Sequence, residues 1–332
     1  MRKGFFSTLV LGLGFALSVD AWAAFRVGLV LDRGGRDDKS FNSAAYQGVT
    51  EAKEKLGIEL RYVEAGDDNQ FEARLRDFAK KDFDLIIAVG ITQAEALSKV
   101  APQFPTKKFA IVDAEVKGDN VRSLLFEEHE GSFLVGAIAG MKSKTGVVGF
   151  VGGMDIPLIR RFQMGYEAGA KHTRPDAKIL SGYVGVTGEA WNNPAKGKEI
   201  AMSQYAGGAD IIFAPAGASN LGVFDAAEEK KLFAIGVDSN QNWIKPGRIV
   251  TSMLKRVDRA VYAACDDAKA GKFSGGTVRF GLANAGVDFA VDAFNKDLLL
   301  PADVAKVQAL KQDILAKKIV VPDFYLQPKK KN

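Results

Sequence analysis

Little in this chain offers ready-made chemistry. Of its 332 residues only one is cysteine and two are histidine. A lone Cys265 excludes an internal disulfide and any thiolate-rich metal site. Within VDRAVYAACDDAKAG it follows small residues on an expected helix, a setting that favours burial over reactivity. His129 and His172 stand far apart, and neither belongs to an HExxH pattern. There is no GxSxG elbow, no GxxxxGK[ST] loop and no strand-borne GxGxxG. Serine-hydrolase, P-loop and dinucleotide chemistry therefore lack their signatures. No catalytic residue, metal or cofactor is expected. A carboxylate-only hydrolase is the one enzymatic alternative that the many acids leave open.

Charge of one sign is also scarce. The net charge is +5, and three of the lysines sit together in the tail PKKKN. No basic stripe interleaved with aromatics runs through the sequence, which argues against a nucleic-acid partner. Long apolar runs are limited to one, FFSTLVLGLGFALSV, from Phe5 to Val19. Arg2 and Lys3 precede it and Ala21-Trp22-Ala23 follows. This is the layout of a cleavable export signal over residues 1–23, and it is shorter than the ~20 residues a membrane span needs. No cysteine lies at the cleavage position to carry a lipid. The expectation is a monomer, soluble in the periplasm, beginning at Ala24.

What the chain does have is alternation. FRVGLVL, LRYVEA, DLIIAVG, KFAIVD, GVVGFVG, DIIFAPAG and LFAIGVD read as buried strands, separated by stretches with helical spacing. That order predicts α/β architecture with parallel sheets and crossover helices. The plan also repeats. Val27, Gly28, Val30, Phe41 and Gly48 align without a gap on Val148, Gly149, Val151, Phe162 and Gly169. DLIIAVG and KFAIVD find counterparts in DIIFAPAG and LFAIGVD at a similar offset of roughly 120 residues, a sign of two similar doubly wound, Rossmann-like lobes. The helix at 256–271 and the run GTVRFGL come after both units are complete, and are expected to cross back, one to each lobe. The division expected is 24–125 plus 252–275 for the first lobe, 126–251 plus 276–324 for the second, and a basic tail at 325–332.

Ligands bind at the carboxyl ends of such strands, and lobes joined by several crossings can hinge around them. The strand ends carry DDKSFN (Asp37 to Asn42), Thr92, Asp113, the loop GEAWNNPAKG, Gly217 and VDSNQ, with Lys255 on the return crossing. Phe41 and Trp191 suit a flat ring, whereas carboxylates, Asn42 and Lys255 suit ring edges and hydroxyls. Each has a plainer reading. Phe41 is either a stacking ring or core, as its repeat mate Phe162 is expected to be. Asp38 either lines the cleft or caps the following helix. Asp113 and Asp238 either face a ligand or merely turn the chain. Ser40, Thr92, Gly217 and Phe224 are secondary candidates.

DDKSFNSAAYQG, FAIVD, WNNPAKGKEIA, DIIFAPAGASNLGVF, FAIGVDSNQ and TSMLKRVD together carry a resemblance. Across roughly Phe25 to Phe324 the sequence resembles the basic membrane protein, or PnrA-like, family, the substrate-binding components of ABC importers. The resemblance implies a type I periplasmic-binding-protein fold with several interlobe crossings. It also implies a purine nucleoside such as guanosine, inosine or adenosine held between the lobes, and an ABC permease and ATPase as partners. Its base sandwich would fall on Phe41 and Trp191, with Phe224 in reserve. Asp38, Asn42 and Asp113 would read the base, and Asp238 and Lys255 the ribose. Trp191 departs from the phenylalanine usual there, and the missing lipidation cysteine departs from the family's many lipoproteins. A sugar receptor or a sensory receptor on the same fold is the alternative.

Overall fold

A computed structural model describes residues 24–327. The export signal expected over 1–23 and the lysines of PKKKN lie outside the described residues. Twelve strands follow in chain order. The first five are β1 (Arg26–Leu31), β2 (Glu59–Glu64), β3 (Leu85–Val89), β4 (Lys108–Val112) and β5 (Val121–Phe126). The next five are β6 (Val147–Met154), β7 (Lys178–Gly185), β8 (Ile211–Phe213), β9 (Phe233–Asp238) and β10 (Ile249–Lys255). The last two are β11 (Gly276–Phe280) and β12 (Val287–Phe289).

They form two six-stranded sheets, ordered β11-β5-β4-β3-β1-β2 and β12-β10-β9-β8-β6-β7. All pairings are parallel except β10 with β12. The inner strands are buried along almost their whole length, which explains their unbroken apolar runs. Each sheet reverses its order beside its first strand, and that switch point is where a ligand site forms.

The chain crosses between lobes three times. After β5 it enters the helix Glu128–Lys142, which packs on the second lobe's Pro157–Thr173. After β10 it returns through Val257–Lys269, which packs on the first lobe's Phe41–Leu56. After β11 it leaves again for β12. Both helix contacts are close because a repeated glycine permits them. A Cβ on Gly48 would lie 2.3 Å from the Asp258 carbonyl oxygen, and one on Gly169 would lie 2.0 Å from that of Phe133. The repeat mates thus do the same work in both lobes.

One boundary expectation is corrected. The run Gly276–Phe280 does not complete the second lobe; it pairs with β5 at the edge of the first. The helix before it is already seated on that lobe, so the chain adds its next parallel strand there. The second lobe's outer edge is filled by β12 instead. Lys255, with the rest of β10, belongs to the second sheet. Cys265 is buried, and burial pushes its thiol up to about 12, so it is packing rather than chemistry.

Candidate ligand-binding cleft

Between the lobes lies a cavity of about 540 Å³, including its opening to solvent. Phe41 and Trp191 line it from opposite lobes, together with Asp32, Asp38, Asp113, Asp238 and Lys255. Gly217 also borders it. Trp191 has its place because residue 153 is glycine: a Cβ there would lie 2.2 Å from the indole Cζ3. Two buried polar atoms at this cavity's residues, Asp113 Oδ1 and Trp191 Nε1, have no partner in the protein. Such atoms are costly to bury unless something else bonds to them.

Lys255 is the cation of the site. It is 2 % exposed, and its Nζ lies 2.5 Å from Asp113 Oδ2 and 3.3 Å from Glu128 Oε1. Burial alone would lower its pKa, but Asp113, Glu128 and Asp238 outweigh that and hold it above the ordinary lysine value. The Lys255–Asp113 pair joins the two lobes. Behind it, Glu128 Oε2 accepts from Arg161 Nη1 at 2.5 Å, and Arg161 also bonds Glu127 and Asp323. Glu127, His129 and Asp323 converge as metal ligands would. Arg161 Nη2 already occupies that point, 2.6 Å from Glu127, 3.0 Å from His129 and 2.9 Å from Asp323.

Asp38, which lines the cavity, and Asn42 are bonded chiefly to one another and to their own loop. Asp38 Oδ1 accepts from the backbone N–H of Ser40 and Ser43, and Oδ2 from the N–H and side-chain amide of Asn42. Four bonds saturate a carboxylate. Asn42 then uses its own Oδ1 to accept from Asp32 N–H. The pair fixes the loop and caps the helix Phe41–Leu56. Thr92 donates to Asp32 Oδ2 at 3.0 Å, and Ser40 donates across the lobes to Asp238. Phe224 is fully buried in the second lobe's core, so it is not a reserve stacking ring.

Several lining residues escaped sequence reading: Asp32, Ile91, Leu158 and Pro215 among them. Asp32 carried a usable signal. It ends VGLVLD as Asp113 ends KFAIVD and Asp238 ends LFAIGVD, and the cavity collects all three. Burial raises Asp32 and Asp238 to about 6 each, against opposing hydrogen bonds and, for Asp238, the Lys255 charge. Phe162, expected in the core, lines the cavity as well.

Similarity to known proteins agrees with this architecture. The family described as ABC transporter substrate-binding protein PnrA-like matches residues 25–324. The chain is 36% identical to the CD4+ T-cell-stimulating antigen of Listeria monocytogenes, covering 90% of this chain and 88% of that one. It is 33% identical to the ABC transporter nucleoside-binding protein BmpA of Lactococcus lactis, over 90% and 89% of the two chains. In structure it is similar to an ABC transporter solute-binding protein of Aeropyrum pernix, with TM-score 0.81, 32% identity, and 90% and 94% coverage. The fold is the type I periplasmic-binding-protein fold. Among the described residues no helix is long and apolar enough to cross a membrane. The chain belongs to the PnrA-like family of ABC transporter substrate-binding proteins: it is a binding protein rather than an enzyme, built to take a small molecule and work with a permease and its ATPase.

Proposed function

We propose that the ligand is a purine nucleoside, held between the lobes and handed to the permease from the periplasm. The observation that carries this reading is the makeup of one cavity. It combines aromatic rings from both lobes with a donor-seeking set of carboxylates and two unpartnered polar atoms. Stacking on Phe41 and Trp191 contributes about 1–3 kcal/mol per contact without selecting a base. Selection falls to the polar groups, since leaving one unpaired costs about 1–3 kcal/mol.

Their placement favours a division along the cavity. Asp113, Asp238 and Lys255 act on one another and form one end, suited to ribose hydroxyls. Asp32 forms another acidic position at the β1 end and suits the donors of a base edge. In this reading it takes the base-reading role expected of Asp38 and Asn42, whose bonds are already made within their loop, and Asp113 moves from base to sugar. The similarity to a protein named as nucleoside-binding supports the same class.

Isothermal titration of refolded, ligand-stripped protein tests this against guanosine, inosine, adenosine, cytidine, ribose and glucose. One-to-one binding of purine nucleosides with silent sugars is the expected result. Sugar binding without nucleoside binding would keep the fold and overturn the ligand.

A further inference from the structure

The Lys39–Ser40 step of the DDKSFN stretch directs its polar atoms across to the second lobe. Ser40 Oγ donates to Asp238 Oδ2 at 2.6 Å. In return, Ser239 Oγ donates to the Ser40 carbonyl at 2.9 Å, and Gln241 Nε2 donates to that of Lys39 at 3.0 Å. With a further contact from Ser40 Oγ to the Val237 carbonyl oxygen at 3.2 Å, six residues from two strand ends are joined.

Each half of this contact is built within its own lobe. Gln241 Oε1 accepts from Val237 N–H at 2.8 Å and from Asn220 Nδ2 at 3.1 Å, and its own N–H donates to Ser252 Oγ. A Cβ on Gly236 would lie 2.9 Å from Gln241 Oε1, so glycine leaves the room. On the facing side, the saturated Asp38 carboxylate fixes the loop, and Lys39 holds left-handed backbone at φ 57°. Ser40 and Gln241 are both fully buried where the lobes meet. Only the bonds between the halves depend on the lobes approaching. Preformed donors and acceptors that meet only on approach act as a latch rather than a chance rim contact.

We propose that Lys39–Ser40 and Ser239–Gln241 form a closing latch that sets how long the closed state lasts. Ser40 is in addition a positioning residue, because it holds the cavity carboxylate of Asp238 from the opposite lobe. Opening therefore releases Asp238 and the ligand site together. The latch stands on interlobe geometry and does not depend on which ligand is bound.

Two variants test it from the second lobe's side. Ser239→Ala removes one donor from a partly exposed side chain. Gln241→Glu keeps both Oε1 contacts but turns a carboxylate oxygen toward the Lys39 carbonyl. With inosine as probe, stopped-flow fluorescence should show dissociation about five-fold faster in Ser239→Ala, the worth of one net hydrogen bond. Gln241→Glu should exceed that, and association should not change in either. A variant that was merely less stable would not split the two rates. Closed-state dwell times are read in parallel without ligand, from dyes on Lys53→Cys and Lys230→Cys, since native Cys265 is buried. They should shorten in the same order. If inosine does not bind, the nucleoside reading fails, and the ligand-free dwell times decide the latch alone. Unchanged dwell times in both variants, or no closed visits at all, overturn it.

Discussion

Phe41 and Phe162, at matching positions in the two lobes, present their rings to the same ammonium. Lys255 Nζ lies 5.2 Å from one centroid and 5.4 Å from the other. Both distances are within cation–π range, and Phe126 adds a third ring at 5.1 Å. The lysine is therefore seated among aromatic rings as well as carboxylates, and the repeat of the sequence converges on one atom.

Trp191 shares the cavity wall with Phe41, and the role of these two rings is separable from that of the charges. Phe41→Ala and Trp191→Ala should each weaken guanosine, inosine and adenosine by a similar factor, worth about 1–3 kcal/mol. Titration calorimetry over the three nucleosides checks this. A selective loss of one base would contradict stacking.

Asp238 should govern the sugar. Asp238→Ala is expected to erase any preference for ribose over deoxyribose while sparing the ranking of bases. Paired titrations with guanosine and 2′-deoxyguanosine give the answer, and a preserved preference would remove Asp238 from the ribose end.

Asp32 should trade stability for binding. Its folded pKa of about 6 lies above the ordinary 3.8, so the folded state binds more protons than the unfolded one between these values. Its contribution to stability is thus unfavourable above pH 6 and is relieved as the pH falls toward 4. Asp32→Asn should stabilise the ligand-free protein by roughly 3 kcal/mol at pH 7.5 and flatten that part of the pH profile. It should also weaken nucleoside binding. Urea titrations across pH 4 to 8 would show an unchanged slope if the buried carboxylate were not the cause.

Arg161 is expected to matter for a different reason. Arg161→Met leaves Glu127, Glu128 and Asp323 facing one another without their shared cation. Breaking a buried ionic cluster this way costs about 3–5 kcal/mol. Denaturant unfolding measures it directly, and a change below 1 kcal/mol would mean water replaces the guanidinium there.

The sheets were legible because their inner strands are buried runs with regular helical spacers, and the repeat exposed the second lobe. The owner of Gly276–Phe280 was not legible. Its side chains are mostly exposed, as befits an edge strand, and an edge sequence does not say which sheet it borders. At the cleft, Trp191 stood out through its polar neighbours, whereas Phe162 is core as expected and its place on the cavity wall was not legible, because a cavity wall and a core face have the same apolar spacing. Asp38 is the instructive case. A carboxylate followed by K-S-F-N reads equally as site or cap, and only the turn geometry shows that four local donors bond to it at the cavity's edge.

The late return of the chain also orders the birth of the molecule. The first lobe is not finished by its first hundred residues: it waits for the helix Val257–Lys269 and for β11, which ends at Phe280. A nascent chain that has completed β5 still exposes the outer edge of that strand and the glycine-marked face of Phe41–Leu56. The second lobe waits longer still, for β12. Neither half can be cut out as a continuous stretch. Each sheet reaches its full six strands only when the chain is made through Phe280 for the first lobe and Phe289 for the second.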